Sequence, residues 1–124
     1  MAKAKQLRAG VIGAGAIAQN GHIPGFKNAG VEIVAICDTN IDRAREVAAK
    51  FSIPHAFGDY RELLKLKDID LVSVGLPNVL HAPVSIAALK AGKHVLCEKP
   101  MTISVADAKK MIAASKRYGK LLSI

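Results

Sequence analysis

The sequence predicts an α/β domain with a doubly wound parallel sheet, and three observations lead there. Short apolar runs rich in Val and Ile recur along the chain. They are apolar on both faces, as strands covered by helices on each side must be. A helical pattern follows nearly every run, and crossovers of this length join parallel strands with a right-handed sense.

The first strand is expected at Leu7 to Ile12, and the second at Val31 to Cys37. Ile41, Ala44, Val47, Ala48 and Phe51 then recur at helical spacing, with Thr39 or Asn40 placed to cap them. A weaker strand is expected at His55 to Phe57. Asp59 to Glu62 has the pattern of a capping box ahead of Leu63, Leu64 and Leu66. Leu71 to Val74 is the next strand. Pro83 suits the first turn of a helix that runs to Ala91 and stops at Gly92. His94 to Cys97 is a strand. Ser104 to Asp107 opens a helix whose apolar stripe reads as Val105, Ala108, Ile112 and Ser115, with Gly119 at its end. Leu121 to Ile124 is the last strand. Residues 1–124 read as one domain, without linker, repeat or low-complexity segment.

A chain of 124 residues is long enough to bury a core without metal or disulfide staples. The net charge of +8 comes from Lys and Arg spread along the chain, not clustered with aromatics, which argues against a nucleic-acid partner and for a small anionic one. Cys37 and Cys97 end apolar runs and lack metal-ligand spacing, so they read as reduced thiols of a cytoplasmic protein. The four His are far apart, and no metal site is expected. The basic start, Met1 to Arg8, ahead of an apolar stretch mimics a secretion signal, but Gly13 and Gly15 interrupt that stretch. No run is long enough to span a membrane.

Gly13, Gly15 and Ala18 form a G-x-G-x-x-A pattern directly after the first strand. The first Gly permits a tight turn, the second lets backbone approach a pyrophosphate, and the small third residue lets helix pack on strand. The free N–H groups of the first helical turn, at Ala16 and Ile17, then face the phosphates. Asp38 ends the second strand, twenty residues beyond Ala18, at the spacing of the acid that accepts from an adenosine ribose. Such a carboxylate repels a 2′-phosphate, which favours NAD over NADP, although Arg43 stands close by in sequence. Turn, strand and acid together mark the dinucleotide-binding Rossmann fold. S-adenosylmethionine-dependent methyltransferases share these features, so the second half of the chain must separate the two readings.

That half carries Pro77, Asn78 and His81 after the fourth strand, and Glu98-Lys99-Pro100 after the fifth. Both loops lie at the carboxyl edge of the sheet, where ligands bind in such folds. Asn78 suits a helix cap as well as a cofactor contact. His22 reads as structural. The stretches "GAGAIA", "PNVLH" and above all "AGKHVLCEKP" resemble the N-terminal domain of the glucose–fructose oxidoreductase, inositol dehydrogenase and MocA family. The resemblance covers nearly the whole chain, with Leu76 where members often have Thr.

The resemblance implies that Gly13, Gly15, Ala18 and Asp38 bind NAD; Ala16, Ile17, Pro77, Asn78, His81, Glu98 and Lys99 are expected along the same site, with His81 reading equally as decoration of a first helical turn. It also implies that Lys99 is the catalytic-motif Lys in hydride transfer between a sugar or polyol hydroxyl carbon and C4 of nicotinamide. Hydride departure requires removal of the hydroxyl proton, and a Lys in a partly dry site suits that task. Glu98 either opposes that effect or pairs elsewhere and orients the loop. In the resembled family a substrate domain follows, so a chain ending at Ile124 is expected to lack it, binding cofactor with little or no turnover. Surface left exposed in this way favours a homo-oligomer. A stand-alone NAD-binding sensor or regulatory module is the alternative.

Overall fold

The computed structural model describes residues 5–124. Met1 to Ala4, half of the basic start of the chain, lie outside the described residues. Strand β1 (Arg8–Ile12) leads through the glycine turn into a π-wound segment (Ala18–His22) that continues as α1 (Ile23–Asn28). There follow β2 (Glu32–Cys37), α2 (Ile41–Phe51), β3 (His55–Phe57), α3 (Tyr60–Leu64) and β4 (Leu71–Val74). A single 3-10 turn (Asn78–Leu80) then precedes α4 (His81–Lys90), β5 (His94–Cys97), α5 (Val105–Tyr118) and β6 (Leu122–Ser123).

All six strands are parallel and lie in the order β3-β2-β1-β4-β5-β6. The direction of winding reverses between β1 and β4, and the crevice at their carboxyl ends is where ligands bind in open α/β sheets. Backbone bonds knit that edge together. Gly13 N–H donates to Cys37 O, Gly75 N–H to Ile12 O and Glu98 N–H to Val74 O, each at 2.9 Å.

The core has two layers. Val11, Ile33 and Ile36 face Ile23, Phe26 and Val47 on one side of the sheet. Val34, Val72, Val74 and Val95 face Leu63, Val84, Leu89 and Met111 on the other. Burial of each such side chain contributes roughly 1.5–3 kcal/mol, which fixes the register of strands whose two faces are both covered.

Side chains and glycines set the helix ends. Asn40 accepts from Arg43 N–H at the start of α2. Asp59 caps α3 by accepting from Arg61 N–H, while Glu62 pairs forward with Lys65 at 3.4 Å, so the capping box expected there has only its first half. Ser104 caps α5 by accepting from Asp107 N–H, and Gly119 closes it with φ of +63°.

Two expectations are corrected. Asn78 does not cap a helix: it is exposed and opens the 3-10 turn, and Leu80 precedes α4 with no side-chain cap. The buried stripe of α5 is centred on Met111 and Ala114, while Val105 is 74% exposed and Ile112 45%. It is rotated by one residue, about 100°, from the stripe read in the sequence. The helix is rich in Ala, so two neighbouring faces are almost equally apolar. Docking against α4, which Met111 completes, selects one of them.

Candidate functional site

The carboxyl edge gathers the chemistry-bearing residues of four loops. After β1 the chain turns at Gly13, whose φ is +101° and whose missing side chain leaves room for the Gly75 carbonyl oxygen. A Cβ there would collide with that oxygen, so both the conformation and the close approach require glycine. Gly15 is different. A Cβ on it would meet nothing within 4 Å, so its surface faces the open crevice. Ala18 is fully buried and brings the following helix onto the sheet. Ala16 and Ile17 lie in the first turn, exposed. N–H groups of a first helical turn have no partner within the helix and are available to an anion.

Asp38 closes the turn from the side. Its Oδ2 accepts from Ala14 N–H at 3.0 Å, and its Oδ1 accepts from Asn40 N–H at 2.9 Å. The carboxylate therefore lies across the mouth of the glycine bend, with its side chain only 13% exposed. Arg43 Nη1 stands 3.8 Å from Oδ2, a charge contact beyond hydrogen-bond length. An ionised carboxylate has about four acceptor directions, so two bonds to backbone leave capacity for hydroxyls.

Two cavities flank this carboxylate. One, of about 300 Å³, lies among Ile12, Tyr60, Leu76, Leu80 and Val84 beside Asp38, walled mainly by apolar groups. The other, of about 480 Å³, runs from Ala14, Gly15 and Ala16 to Arg43 and Lys50, whose charges suit phosphate. Leu76, where the resembled family often has Thr, thus serves as an apolar wall. Cys37 sits at the end of β2 beneath Asp38, and burial pushes its thiol up to about 12, which leaves it an inert core residue.

The loops after β4 and β5 form the other end of the crevice. Pro77 and Asn78 are exposed on its rim. His81 is fully buried, with Nδ1 at 2.7 Å from the Pro100 carbonyl oxygen and Nε2 at 2.8 Å from that of Leu76. Both ring nitrogens are thus engaged by backbone, and the residue ties the two loops together. Glu98 Oε2 lies 2.9 Å from His22 Nε2, and this hydrogen bond is the main cause of the lowered pKa of the Glu98 carboxyl. Glu98 is thus paired with His22, the pairing that the second of the two roles expected of it requires. Lys99 is exposed, so the dry surroundings expected for its amine are not formed by the described residues. The Lys99–Pro100 peptide is cis.

His22, read from the sequence as structural, is the residue whose partner that reading did not find. It is 76 positions from Glu98, and only the fold brings them together. One faint signal exists in Gly75. A Cβ at that position would stand 3.1 Å from Ile17 Cγ2 and 3.3 Å from His22 Cε1, so its small size makes room for the ring.

The family model for the Gfo/Idh/MocA oxidoreductases, described as an oxidoreductase family with an NAD-binding Rossmann fold, matches residues 7–124. The chain belongs to this family. An uncharacterised oxidoreductase of Rhizobium meliloti is 43% identical over 92% of the chain. Inositol 2-dehydrogenase of Salmonella typhimurium is 38% identical over the same share. The chain spans about a third of these relatives, 34% of each.

Among solved structures, a 3-ketoreductase from Actinomadura kijaniata, in complex with TDP-benzene and NADP, superposes with a TM-score of 0.89 at 38% identity. It is matched over 95% of this chain and 37% of its own. An NAD-binding oxidoreductase from Klebsiella pneumoniae gives 0.90 at 32% identity, over 97% of this chain and 34% of its own. Membership identifies the chain as a nicotinamide-dinucleotide-binding Rossmann domain and removes the methyltransferase reading. It does not rank NAD above NADP, since family members as close as the ketoreductase hold NADP. Among the described residues no helix is long and apolar enough to cross a membrane.

Proposed function

We propose that this chain is the cofactor-binding part of an oxidoreductase that moves a hydride between a nicotinamide dinucleotide and a hydroxyl carbon of a sugar or polyol. The observation that carries the reading is the Asp38 carboxylate bonded to Ala14 N–H at the mouth of the glycine turn. There it is placed to accept from ribose hydroxyls while Gly15, Ala16 and Ile17 present amides to the diphosphate. The apolar cavity bounded by Leu76, Leu80 and Val84 suits the adenine ring. Names among the relatives support the substrate class, including inositol 2-dehydrogenase and 1,5-anhydro-D-fructose reductase.

When bound, the nicotinamide would supply the carbon that accepts or donates the hydride. Lys99 at the far end of the crevice takes part in moving the hydroxyl proton, and Glu98 fixes the direction from which it does so. Pro77 and Asn78 border the nicotinamide end, and His81 acts from beneath them through the loops it joins. The choice between NAD and NADP is a balance of two side chains. Asp38 repels a 2′-phosphate, and Arg43 beside it attracts one. Two buried, unpaired thiols at Cys37 and Cys97 support a cytoplasmic setting. The exposure of Lys99 favours one alternative, a sensor module that binds the nucleotide without chemistry.

Titration of the chain with NADH and NADPH, followed by nicotinamide fluorescence, tests the reading. Saturable binding is expected, weakened about 10-fold or more by Gly15→Leu, which fills the open crevice. Absence of binding to either nucleotide contradicts it. Lys99→Ala in a full-length parent separates enzyme from sensor: a dehydrogenase loses about 100-fold in rate with cofactor affinity nearly unchanged, whereas a sensor has no rate to lose.

A further inference from the structure

Two histidines hold the residues on either side of Lys99. His22 Nε2 meets the Glu98 carboxylate at 2.9 Å, and His81 Nδ1 meets the Pro100 carbonyl at 2.7 Å. Between them Lys99 is exposed, in a stretch from 98 to 104 without regular helix or strand. The two rings differ in their surroundings. His81 has a carbonyl oxygen within hydrogen-bond distance of each nitrogen, of which a neutral ring donates to one. His22 has one partner only. Its side chain is 9% exposed, and its Nδ1 is buried without a hydrogen bond among the described residues.

An ionised carboxylate only accepts, so Nε2 of His22 carries the proton in this bond. Nδ1 is then left either as a buried acceptor or as a buried donor with nothing to pair with, and either state is unfavourable. The fold keeps this arrangement even though a fully apolar side chain would leave no orphan. It also keeps a residue without a side chain at Gly75 so that the ring can reach Glu98. The benefit offsetting that loss is the aim of Glu98 and, through it, of Lys99.

We propose that His22 is a positioning residue for Lys99, acting through Glu98, with His81 as the opposite strut. The proposal rests on the reading above, in which Lys99 faces the nicotinamide. His22 terminates the π-wound segment that begins at Ala18, so the helix that starts at the diphosphate end also carries the strut that holds the proton-transfer end. One rigid element thereby sets the distance between the two ends of the crevice.

The experiment compares the unsubstituted chain with His22→Ala, His22→Gln and Glu98→Gln. Amide hydrogen exchange is read residue by residue, and affinities are measured for ADP and for NADH. In His22→Ala, exchange at Glu98 and Lys99 should rise about 10-fold while the amides of β1 and β2 keep their protection. NADH should weaken about 5-fold or more, with ADP within about 2-fold, because only the nicotinamide end reaches the released loop. His22→Gln retains an N–H able to donate to Glu98 and should recover most of both effects, and Glu98→Gln should repeat the pattern in milder form.

Exchange at Glu98 and Lys99 unchanged in His22→Ala would overturn the proposal. So would a parallel loss of ADP and NADH binding, or loss of protection throughout the sheet in His22→Ala and His22→Gln alike, since His22 would then serve the fold alone. If the unsubstituted chain binds neither nucleotide, the functional reading fails by itself, and the exchange comparison still decides whether His22 orders the loop.

Discussion

The glycine turn holds its carboxylate with backbone N–H groups, whereas the Lys99 loop is held by two histidine side chains. The first arrangement is local: Asp38 reaches one residue of the turn and one of its own loop, and every donor is fixed by the main chain. The second joins segments far apart in sequence and depends on rings that pack only after the sheet has formed. On the proposed reading, the adenosine diphosphate, a ligand part common to many reactions, meets the first end, and the part that undergoes chemistry meets the end built from side chains. Substitutions at the two ends should therefore fail in different ways, by loss of fold and affinity at one and by loss of alignment at the other.

The largest effect is expected at Gly13. A side chain there meets the Gly75 carbonyl oxygen and a φ of +101°, so Gly13→Ala should lower unfolding free energy by about 3 kcal/mol or more in urea titrations. A loss under about 1 kcal/mol would mean that the turn yields easily and is not the rigid partner in the comparison.

Asp38→Ala comes next. It strips the acceptor from Ala14 N–H and Asn40 N–H, and about 1–2 kcal/mol of stability and about 10-fold in NADH affinity should go together. In Asp38→Ser the ratio of NADPH to NADH affinity should rise about 10-fold, because the charge that repels a 2′-phosphate is gone and Arg43 remains. A ratio that does not move would show that Asp38 does not face the ribose.

The Lys99 end should respond to acid. The Glu98 carboxyl is lowered by its bond from His22, so its contribution is complete above the ordinary carboxylate range and is lost as pH falls through the lowered value. Exchange at Glu98 and Lys99 should therefore stay slow through mildly acidic pH and accelerate only below that range, with the Gly13 to Gly15 amides following later or together with global unfolding. Acceleration that starts higher, while the carboxyl is still ionised, would mean that the bond does not order the loop.

The smallest effect is expected on α5. Val105→Ser should change stability by less than about 0.5 kcal/mol, because Val105 is largely exposed. Met111→Ala, one residue before Ile112 on the buried face, should cost about 2–5 kcal/mol by the same urea measurement. The reverse order would restore the stripe first read from the sequence.

The same contrast explains what could be read in advance. Strand positions were legible almost to the residue, because parallel strands buried on both faces need apolar runs such as Ile33 to Cys37. Gly13, Gly15 and Asp38 were legible because a tight turn, an open backbone and a strand-end acid are requirements of neighbouring residues. The face of α5 was not, since Ala108, Met111 and Ile112 make two adjacent faces similarly apolar and only the packed partner decides. His22 with Glu98, and His81 with Pro100, were out of reach for a different reason. Their meeting is set by strand order and crossover, and neither residue advertises a partner in its own segment. For His81 the pattern suited a polar group near the nicotinamide and decoration of a first helical turn equally, and the structure buries it with a carbonyl oxygen beside each nitrogen.

The sheet also has an opposite edge where Lys65, Lys67, Lys93 and Lys120 surround a cavity of about 370 Å³, and a basic cavity could attract the same anion without specificity. The most direct measurement of the central claim separates the two edges: a nitrogen–proton amide spectrum of the chain titrated with ADP. The account predicts that the largest shifts fall on Gly15, Ala16, Ile17, Asp38 and Thr39, with the Lys93 and His94 amides unmoved. Shifts concentrated at Lys93 and His94, with the glycine turn silent, would contradict it.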